Sequence, residues 1–157
     1  TDPPMCYISV RPERHSHAII MQTRQFVINL TTEALARATD WCGVKSGRDV
    51  NKLDTMRLHV EKGHIVDAPV LCESPLNIEC RGRDVLRFGS HDMFVADVVN
   101  IQADECYIDP VSGRFDMERA RLIAYSHGQY YALGRRLGHF GWSVRRKPRK
   151  GRPARHT

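Results

Sequence analysis

The chain has no long apolar segment. No run among its 157 residues approaches the ~18 apolar residues of a membrane-spanning helix. No basic stretch followed by an apolar one marks a secretory signal near the N-terminus. The 41% hydrophobic and 27% charged residues are typical of a globular protein, and the length predicts one domain with a substantial core. We therefore expect a cytoplasmic protein with no membrane association.

Cysteines are too few and too scattered to form a disulfide framework. The five cysteines are Cys6, Cys42, Cys72, Cys80 and Cys106. They are odd in number and include no Cys-x-x-Cys pair. This pattern predicts reduced thiols that serve mostly as small core residues, and it predicts no metal site.

The common catalytic motifs are absent as well. The sequence has no Gly-x-Gly-x-x-Gly, no Gly-x-x-x-x-Gly-Lys-Ser/Thr, no His-Glu-x-x-His and no Gly-x-Ser-x-Gly. A dinucleotide-binding fold, a P-loop and nucleophilic catalysis are therefore not indicated. An enzyme with this sequence would depend on a bound cofactor for its chemistry.

Acidic residues are missing from the C-terminal end. Residues 145–157 hold seven of the 24 Lys and Arg and no Asp or Glu, so the net charge of +6 leaves residues 1–144 at −1. We expect one domain at residues 1–144 and a disordered, solvated basic tail at residues 145–157. Residues 148–153 resemble the Gly-Arg-Pro core of an AT-hook peptide. Nucleic acid is therefore a candidate partner for the tail only.

Short apolar runs separated by turns predict an α+β fold that is mainly β. Strands are predicted at residues 5–10 and 26–30, at 76–81 with a continuation through 85–88, and at 92–101, with a short strand near 70–72 and an edge at 106–108. Apolar and polar residues alternate at 76–81, which predicts one solvated face. Short strands with few helices favour a closed or nearly closed antiparallel barrel.

Two main helices are predicted between these strands. The first covers residues 16–23. The second follows residue 30, where Thr31 or Thr32 would cap it and Gly43 would end it. A polar loop at residues 45–50 follows.

The segment between the first strand and the first helix carries the clearest functional signal. Its residues are Arg11-Pro12-Glu13-Arg14-His15-Ser16. Ser16 is placed to cap the helix, whose free N–H groups and partial positive charge favour an anion. Arg11 and Arg14 add guanidinium groups that match phosphate oxygens. These residues predict a phosphate site; two solvated arginines at a corner are the alternative interpretation.

Several blocks of the sequence resemble the flavin reductase-like family, and in particular its flavoredoxin branch. They match in order over residues 2–145 and include Arg11-Pro12-x-Arg14, Asn29-Leu30-Thr31-Thr32, Ser46-Gly47-Arg48-Asp49, His91-Asp92-Met93-Phe94 and Tyr125-Ser126-His127-Gly128. The combination is specific for the family and carries little information on the substrate. Family members normally have a further N-terminal segment, which we expect this chain to lack.

The resemblance implies an antiparallel split β-barrel with a few short helices. It also implies noncovalent FMN, and a homodimer with flavin sites near the subunit interface. Electrons would pass from NADH or NADPH to FMN, and then to free flavin, a partner monooxygenase or another acceptor. The expected function is that of an NAD(P)H-dependent flavin reductase or a flavoredoxin-type electron-transfer protein. The alternative is an FMN-binding electron carrier without efficient NAD(P)H turnover.

The resemblance also assigns residues to the cofactor. Arg11, Arg14, His15 and Ser16 would hold the FMN phosphate. Asn29 and Leu30 would contact the flavin ring or the ribityl chain. Judged without the family, Asn29 is more typical of a hydrogen-bonded amide in the core.

Further residues would line the rest of the flavin site. Ser46 to Asp49 would form a loop over the ribityl phosphate or the nicotinamide, or simply a turn. His91 would donate to the flavin or the nicotinamide, or be satisfied by the backbone of its turn. His127 and Tyr130 would close the site or contact a second subunit. No acid or base is predicted, because hydride transfer depends on alignment.

Overall fold

The computed structural model describes residues 1–145. Within them the strands are β1 (Met5–Val10), β2 (Gln25–Asn29), β3 (Val60–Lys62), β4 (Pro69–Leu71), β5 (Leu76–Arg87), β6 (Asp92–Ala103), β7 (Ile123–Ser126) and β8 (Gln129–Ala132). The helices are α1 (His15–Thr23), α2 (Ala36–Val44) and α3 (Lys52–Met56), with single 3-10 turns at Glu105–Tyr107 and Trp142–Val144. The predicted basic tail, apart from Arg145, lies outside the described residues. Across residues 1–145, every helix is too short or too polar to cross a membrane.

One antiparallel sheet forms the centre of the fold, in the strand order β1-β6-β5-β2. The predicted hairpin is confirmed as β5 and β6, and Gly89 takes a φ of +76° in the turn between them. β5 runs without a break from Leu76 to Arg87, in agreement with the predicted segment that continues through residues 85–88. Register shifts in its pairing with β6 occur after Glu79 and after Gly82, and such bulges increase the local bend of a sheet.

The core lies on the face of this sheet that α1 covers. Ile20 of α1 packs against Phe26 of β2, Cys80 of β5 and Phe94 of β6. Cys80 is fully buried, and its Sγ lies 3.4 Å from that of Cys6. Burial, together with the contact with Cys6, raises the pKa of the Cys80 thiol to about 12. The prediction of core cysteines is therefore confirmed for Cys6 and Cys80, while Cys72 and Cys106 are exposed.

The other face of β5 is also covered, which corrects the prediction of a solvated face. Asn77 is 8% exposed and Glu79 is completely buried. The segment from Gly63 to Leu71, which includes β4, lies over them: Glu79 accepts hydrogen bonds from the backbone N–H groups of residues 64–66, and Asn77 donates to the Leu71 carbonyl. The polar residues at alternate positions of β5 thus bind another part of the chain in place of water.

Glu79 is the most completely satisfied buried charge in the described residues. Besides the three backbone donors, the side chains of Asn100 and Gln102 donate to it at 2.7 and 2.6 Å. Burial raises the pKa of this carboxyl, but these hydrogen bonds outweigh it and lower the pKa to about 2. A Cβ on Gly63 would lie 2.6 Å from the Val66 carbonyl oxygen and 2.9 Å from Glu79, so only glycine fits there.

Three predicted details at the ends of elements are wrong. Ser16 does not cap α1: the helix begins at His15, and Arg14 is the N-cap residue. Neither Thr31 nor Thr32 caps α2, because Thr32 instead bridges to Leu122 and the helix begins after Leu35. α2 also continues one residue past Gly43.

The segment after β6 differs from the prediction in two places. Residues 106–108, predicted as an edge strand, are mostly part of the 3-10 turn, and only Ile108 forms a bridge, to Phe115. β7 and β8, which were not predicted, form a hairpin around His127 and Gly128. Both turn residues have positive φ, +49° and +76°, as a tight two-residue hairpin turn requires.

Candidate functional site

A cavity rich in cations lies where the corner between β1 and α1 meets the end of α2. Its volume is about 590 Å³. Its positively charged lining residues are Arg11, Arg14, Lys45 and Lys52, and Ser16 and Ser46 contribute hydroxyl groups. Glu13 is its one carboxylate. We call this space the cationic cavity.

The first wall of the cationic cavity is the corner itself. The chain turns after β1, where the Arg14 N–H donates to the Arg11 carbonyl at 3.0 Å, and α1 starts at once. The backbone N–H groups of His15 and Ser16, in the first turn of α1, have no acceptor among the described residues. Such free N–H groups at a helix N-terminus favour an anion. Ser16 therefore lines the cavity from inside the first turn of the helix.

The two arginines of this wall differ in whether they form an ion pair with another described residue. Arg11 Nε lies 2.8 Å from Glu13 Oε1, and both side chains are more than half exposed. Arg14 forms no ion pair with another described residue. Its guanidinium is therefore the free charge on this wall.

The second wall is the loop between α2 and α3. Gly47 lies so close to His15 that a Cβ at this position would be 3.2 Å from the imidazole Cδ2. Lys52 Nζ donates to the Cys42 carbonyl at the end of α2, which joins α3 to α2. A cation at the C-terminal end of a helix also offsets its partial negative charge. These contacts bring Ser46, Gly47 and Lys52 next to the corner.

A mostly buried pair of side chains, His17 and Asp92, connects α1 to β6. His17 Nε2 lies 2.9 Å from Asp92 Oδ2, and these side chains are only 14% and 10% exposed. The His17 ring also meets Phe94 edge-on, with ring centroids 5.3 Å apart. The first turn of α1 is thereby fixed to the start of β6.

The structure brings together five of the predicted site residues: Arg11, Arg14, His15, Ser16 and Ser46. Asp49 lies just outside the cationic cavity. Its N–H donates to the Ser46 carbonyl, and it lines an adjoining space that shares Gly47 and Lys52.

Asn29 and Leu30 lie elsewhere. Asn29 lines an apolar groove of about 460 Å³ bounded by α2, α3 and the β3–β4 hairpin, and its Oδ1 accepts from the Leu71 N–H at 3.0 Å. Both backbone polar groups of Leu30 are used in the sheet region, by the Leu76 carbonyl and the Ser74 hydroxyl. The interpretation of Asn29 as a hydrogen-bonded structural amide is thus supported, while its Nδ2 has no partner among the described residues.

The apolar groove is a neighbour of the cationic cavity. Cys42 and Gly43, in the last turn of α2, line both spaces. The remaining lining of the groove is mainly aliphatic: Leu35, Leu53, Leu58, Val60 and Leu71.

Two of the predicted histidines, His91 and His127, are not part of the cationic cavity in the single chain. His91 lies in the β5–β6 turn, where its Nδ1 is 3.0 Å from the Ser90 hydroxyl. His127 is in the exposed β7–β8 turn, and the Tyr130 hydroxyl donates to Asp40 of α2.

Three contributing residues were missed at the level of the sequence: Lys45, Lys52 and His17. The two lysines flank the predicted Ser46 to Asp49 loop, and Asn51 caps α3 through hydrogen bonds to Leu53 and Asp54. Because Asn is a favoured N-cap residue, Asn51 indicates from the sequence alone that a helix begins at Lys52, next to this loop. No local signal pairs His17 with Asp92, since 75 positions separate them.

Comparison with known proteins gives one family match that covers most of the chain. Residues 1–134 match the family model described as the flavin reductase like domain. Among curated proteins, the reductase component of the 4-nitrophenol 4-monooxygenase/4-nitrocatechol 2-monooxygenase of Rhodococcus opacus is 31% identical over 101 residues. The match covers 64% of this chain and 51% of that protein, so the chain spans about half the length of this relative.

Solved structures share the fold. The flavoredoxin of Desulfovibrio vulgaris (Miyazaki F) has a TM-score of 0.85 at 24% identity, covering 92% of this chain and 78% of that chain. An FMN-binding protein from Thermus thermophilus, with bound 1-cyclohex-2-enone, has a TM-score of 0.73 at 27% identity, covering 88% and 74%. The predicted fold class, an antiparallel split β-barrel with a few short helices, is thereby confirmed.

Proposed function

The chain belongs to the flavin reductase-like family, and on that premise we propose that it is an FMN-binding oxidoreductase that uses NADH or NADPH. The cationic cavity carries this proposal. It combines four basic side chains, two hydroxyls and the free N–H groups of a helix N-terminus within about 590 Å³. That set of donors matches the phosphate end of a flavin mononucleotide.

The charges in the cavity suit such a ligand. A phosphate monoester carries about −1.5 to −2 charges at neutral pH. Glu13 is paired with Arg11, which leaves Arg14, Lys45 and Lys52 to neutralise the phosphate. The residues present therefore fit the group. We assign the phosphate to Arg14, His15, Ser16 and Ser46, with Arg11, Lys45 and Lys52 around them.

The other predicted contacts stay predictions. Asn29 would reach the ribityl chain or the ring through its free Nδ2, from the groove on the far side of Cys42 and Gly43. Leu30 would contact the flavin only through its side chain, because its backbone N–H and carbonyl already form hydrogen bonds. Asp49 and His91 are proposed at the edge of the site, since neither lines the cationic cavity.

The residues described bind and orient, and none is assigned as a catalytic acid or base. If FMN is bound there, it would supply the redox chemistry between a nicotinamide and an electron acceptor. The task of the protein is then alignment, which the rigid attachment of α1 through His17 and Asp92 serves.

We propose free flavin or a partner monooxygenase as the electron acceptor. The Rhodococcus opacus relative is a reductase component of a monooxygenase, and its similarity to this chain supports that choice. We also propose that the protein is a homodimer.

Anaerobic stopped-flow reduction tests the proposal. The purified protein, reconstituted with FMN, is mixed with NADH or with NADPH while the flavin absorbance is followed. We expect stoichiometric FMN binding and rapid bleaching by at least one nicotinamide. Bleaching by dithionite alone would replace the proposal with the electron-carrier alternative, and a protein that does not bind added FMN would overturn both.

A further inference from the structure

The last described residues of the chain carry aromatic side chains that face solvent. Phe140 is fully exposed, and Trp142 is 57% exposed. They follow residues 1–134, which match the family model, and neither of them lines the cationic cavity. The proposed flavin function therefore leaves them without a role. We call residues 135–145 the aromatic platform.

The aromatic platform has a compact local structure. The indole of Trp142 lies on Gly138, where a Cβ would come within 2.5 Å of Nε1. Gly141 turns the chain with a φ of +80°, and the Trp142 N–H donates to the His139 carbonyl at 3.0 Å. The backbone of the platform thus covers part of the indole, while the Phe140 ring is open to solvent on all sides. Both rings are placed so that a flat ligand group could stack on them.

Basic side chains flank these rings on both sides. Arg135 and Arg136 precede them and Arg145 follows them; all three are exposed and form no ion pair with another described residue. Residues 135–157 hold nine basic residues, seven of them arginine, and no Asp or Glu, whereas residues 1–134 carry a net charge of −3. This end of the chain therefore attracts a ligand with many negative charges.

The combination of arginine with exposed aromatic rings points to a nucleic acid. A guanidinium group matches the oxygens of a phosphate, and every base has a flat face that can stack on an aromatic side chain. The surface of an anionic membrane would be attracted by the same charge, but such surfaces are typically bound by an amphipathic helix. The one regular element within residues 133–145 is the 3-10 turn Trp142–Val144. The local structure therefore favours a nucleic acid over a membrane.

We propose that residues 135–157 bind single-stranded nucleic acid, with Phe140 and Trp142 stacked on unpaired bases and the arginines at the phosphates. The exposed rings favour a single strand, because the bases of a duplex are stacked on one another. Residues 148–153, which resemble an AT-hook, would suit the minor groove of a duplex. That ligand would leave Phe140 without a contact. The site is separate from the cationic cavity and does not depend on the flavin function.

Fluorescence anisotropy with labelled oligonucleotides tests the site. The full-length protein is titrated into a single-stranded DNA, a single-stranded RNA of the same sequence and the corresponding DNA duplex. We expect at least one of the single strands to be bound more tightly than the duplex. Failure to bind either single strand, or tighter binding of the duplex than of both, would overturn the proposal.

Phe140→Ala isolates the contribution of stacking. Loss of one base–aromatic stack should lower the affinity for the single strand by about fivefold or more. The midpoint of thermal unfolding should stay unchanged, because the Phe140 side chain is fully exposed. Phe88→Ala is the matched control, since Phe88 is 62% exposed and lies at the β5–β6 turn. Equal affinities of the two variants would show that charge alone holds the strand, and the proposed platform would be wrong.

Deletion of residues 146–157 isolates the contribution of charge. This deletion removes six basic residues and leaves the aromatic platform in place. Since the slope of log K against log salt is about −0.7 for each phosphate neutralised on a single strand, we expect it to become shallower by about four. An unchanged slope would contradict the proposed phosphate contacts.

Vesicles that contain phosphatidylserine distinguish a membrane from a nucleic acid. Sedimentation of the wild-type protein and of Phe140→Ala with these vesicles measures the binding of each. We expect any binding to the vesicles to be unaffected by Phe140→Ala. Binding that requires Phe140, by a protein that binds no oligonucleotide, would replace the nucleic acid with a lipid surface and overturn the proposal.

Discussion

His17 Nε2 lies 2.9 Å from Asp92 Oδ2, which fixes the first turn of α1 to the start of β6. Neither residue lines the cationic cavity. His17→Ala would leave the buried Asp92 carboxylate without this partner. We expect a loss of about 1–3 kcal/mol in the free energy of unfolding and FMN affinity reduced about tenfold by the displacement of Arg14 and Ser16.

Urea denaturation and FMN fluorescence titration measure the two effects. His64→Ala is a suitable control, because the His64 side chain is exposed and makes no hydrogen bond among the described residues. Unchanged FMN affinity in His17→Ala would show that α1 needs no anchor at this end to hold the phosphate.

If the cationic cavity binds the FMN phosphate, a double variant at its first wall should lower FMN affinity strongly. Arg14→Ala combined with Ser16→Ala removes a free guanidinium and a hydroxyl from the first turn of α1. Hydrogen bonds to charged groups contribute about 1.5–3 kcal/mol each, so FMN affinity should fall about 100-fold or more. Isothermal titration calorimetry with FMN measures the change.

Arg87→Ala provides the matched control for that experiment. Arg87 ends β5, is exposed and lines none of the spaces described above. Its replacement removes the same charge from the protein as a whole. If the double variant and the control bind FMN equally well, the phosphate is bound at another place.

Glu79 predicts a specific dependence of stability on pH. Its folded-state pKa of about 2 lies below the ordinary value of 4.5. The charged Glu79 carboxylate therefore makes its full contribution to the free energy of unfolding above pH 4.5, and this contribution is lost as the pH falls towards 2. Glu79→Gln should destabilise the protein by about 3 kcal/mol at pH 7, and the difference from wild type should shrink on acidification.

Urea denaturation at a series of pH values between 7 and 3 measures this difference. Glu61→Gln, at an exposed carboxylate of β3, is the control and should show little change at any pH. A Glu79→Gln variant whose deficit stays constant down to pH 3 would contradict the assignment of a charged, hydrogen-bonded carboxylate.

Deletion of residues 145–157 tests the separation of the tail from the domain. This deletion removes seven basic residues; Arg145, the one among them that the structure describes, does not line the cationic cavity. We expect the dissociation constant for FMN to change by no more than about twofold, since all the proposed phosphate contacts lie within residues 1–144 and salt weakens the effect of exposed charges outside the site. A large loss of affinity would mean that the tail belongs to the site. DNA binding that is sensitive to salt and vanishes with the deletion would instead identify nucleic acid as its ligand.

The strands were predictable where local pattern and burial coincide. β1, β2 and the β5–β6 hairpin follow from short apolar runs and a glycine turn. The prediction that one face of β5 is solvated was wrong, because an alternation of polar residues shows only that they lie on the same face. Asn77 and Glu79 on that face are shielded from water because the segment from Gly63 to Leu71 packs over them. The local sequence of β5 does not contain this information.

The sequence by itself determined the Arg11 to Ser16 corner, since the charges, the turn and the start of α1 all lie within six residues. It also determined the Ser46-Gly47 loop as a polar segment. Only the tertiary structure decided that these two segments face each other through His15 and Gly47 and that Lys52 lines the same cavity. It also decided that Asn29 and His91 lie outside this cavity. The physical reason is distance along the chain: local sequence sets turns and helix ends, whereas the convergence of side chains separated by dozens of residues depends on how the sheet and helices pack.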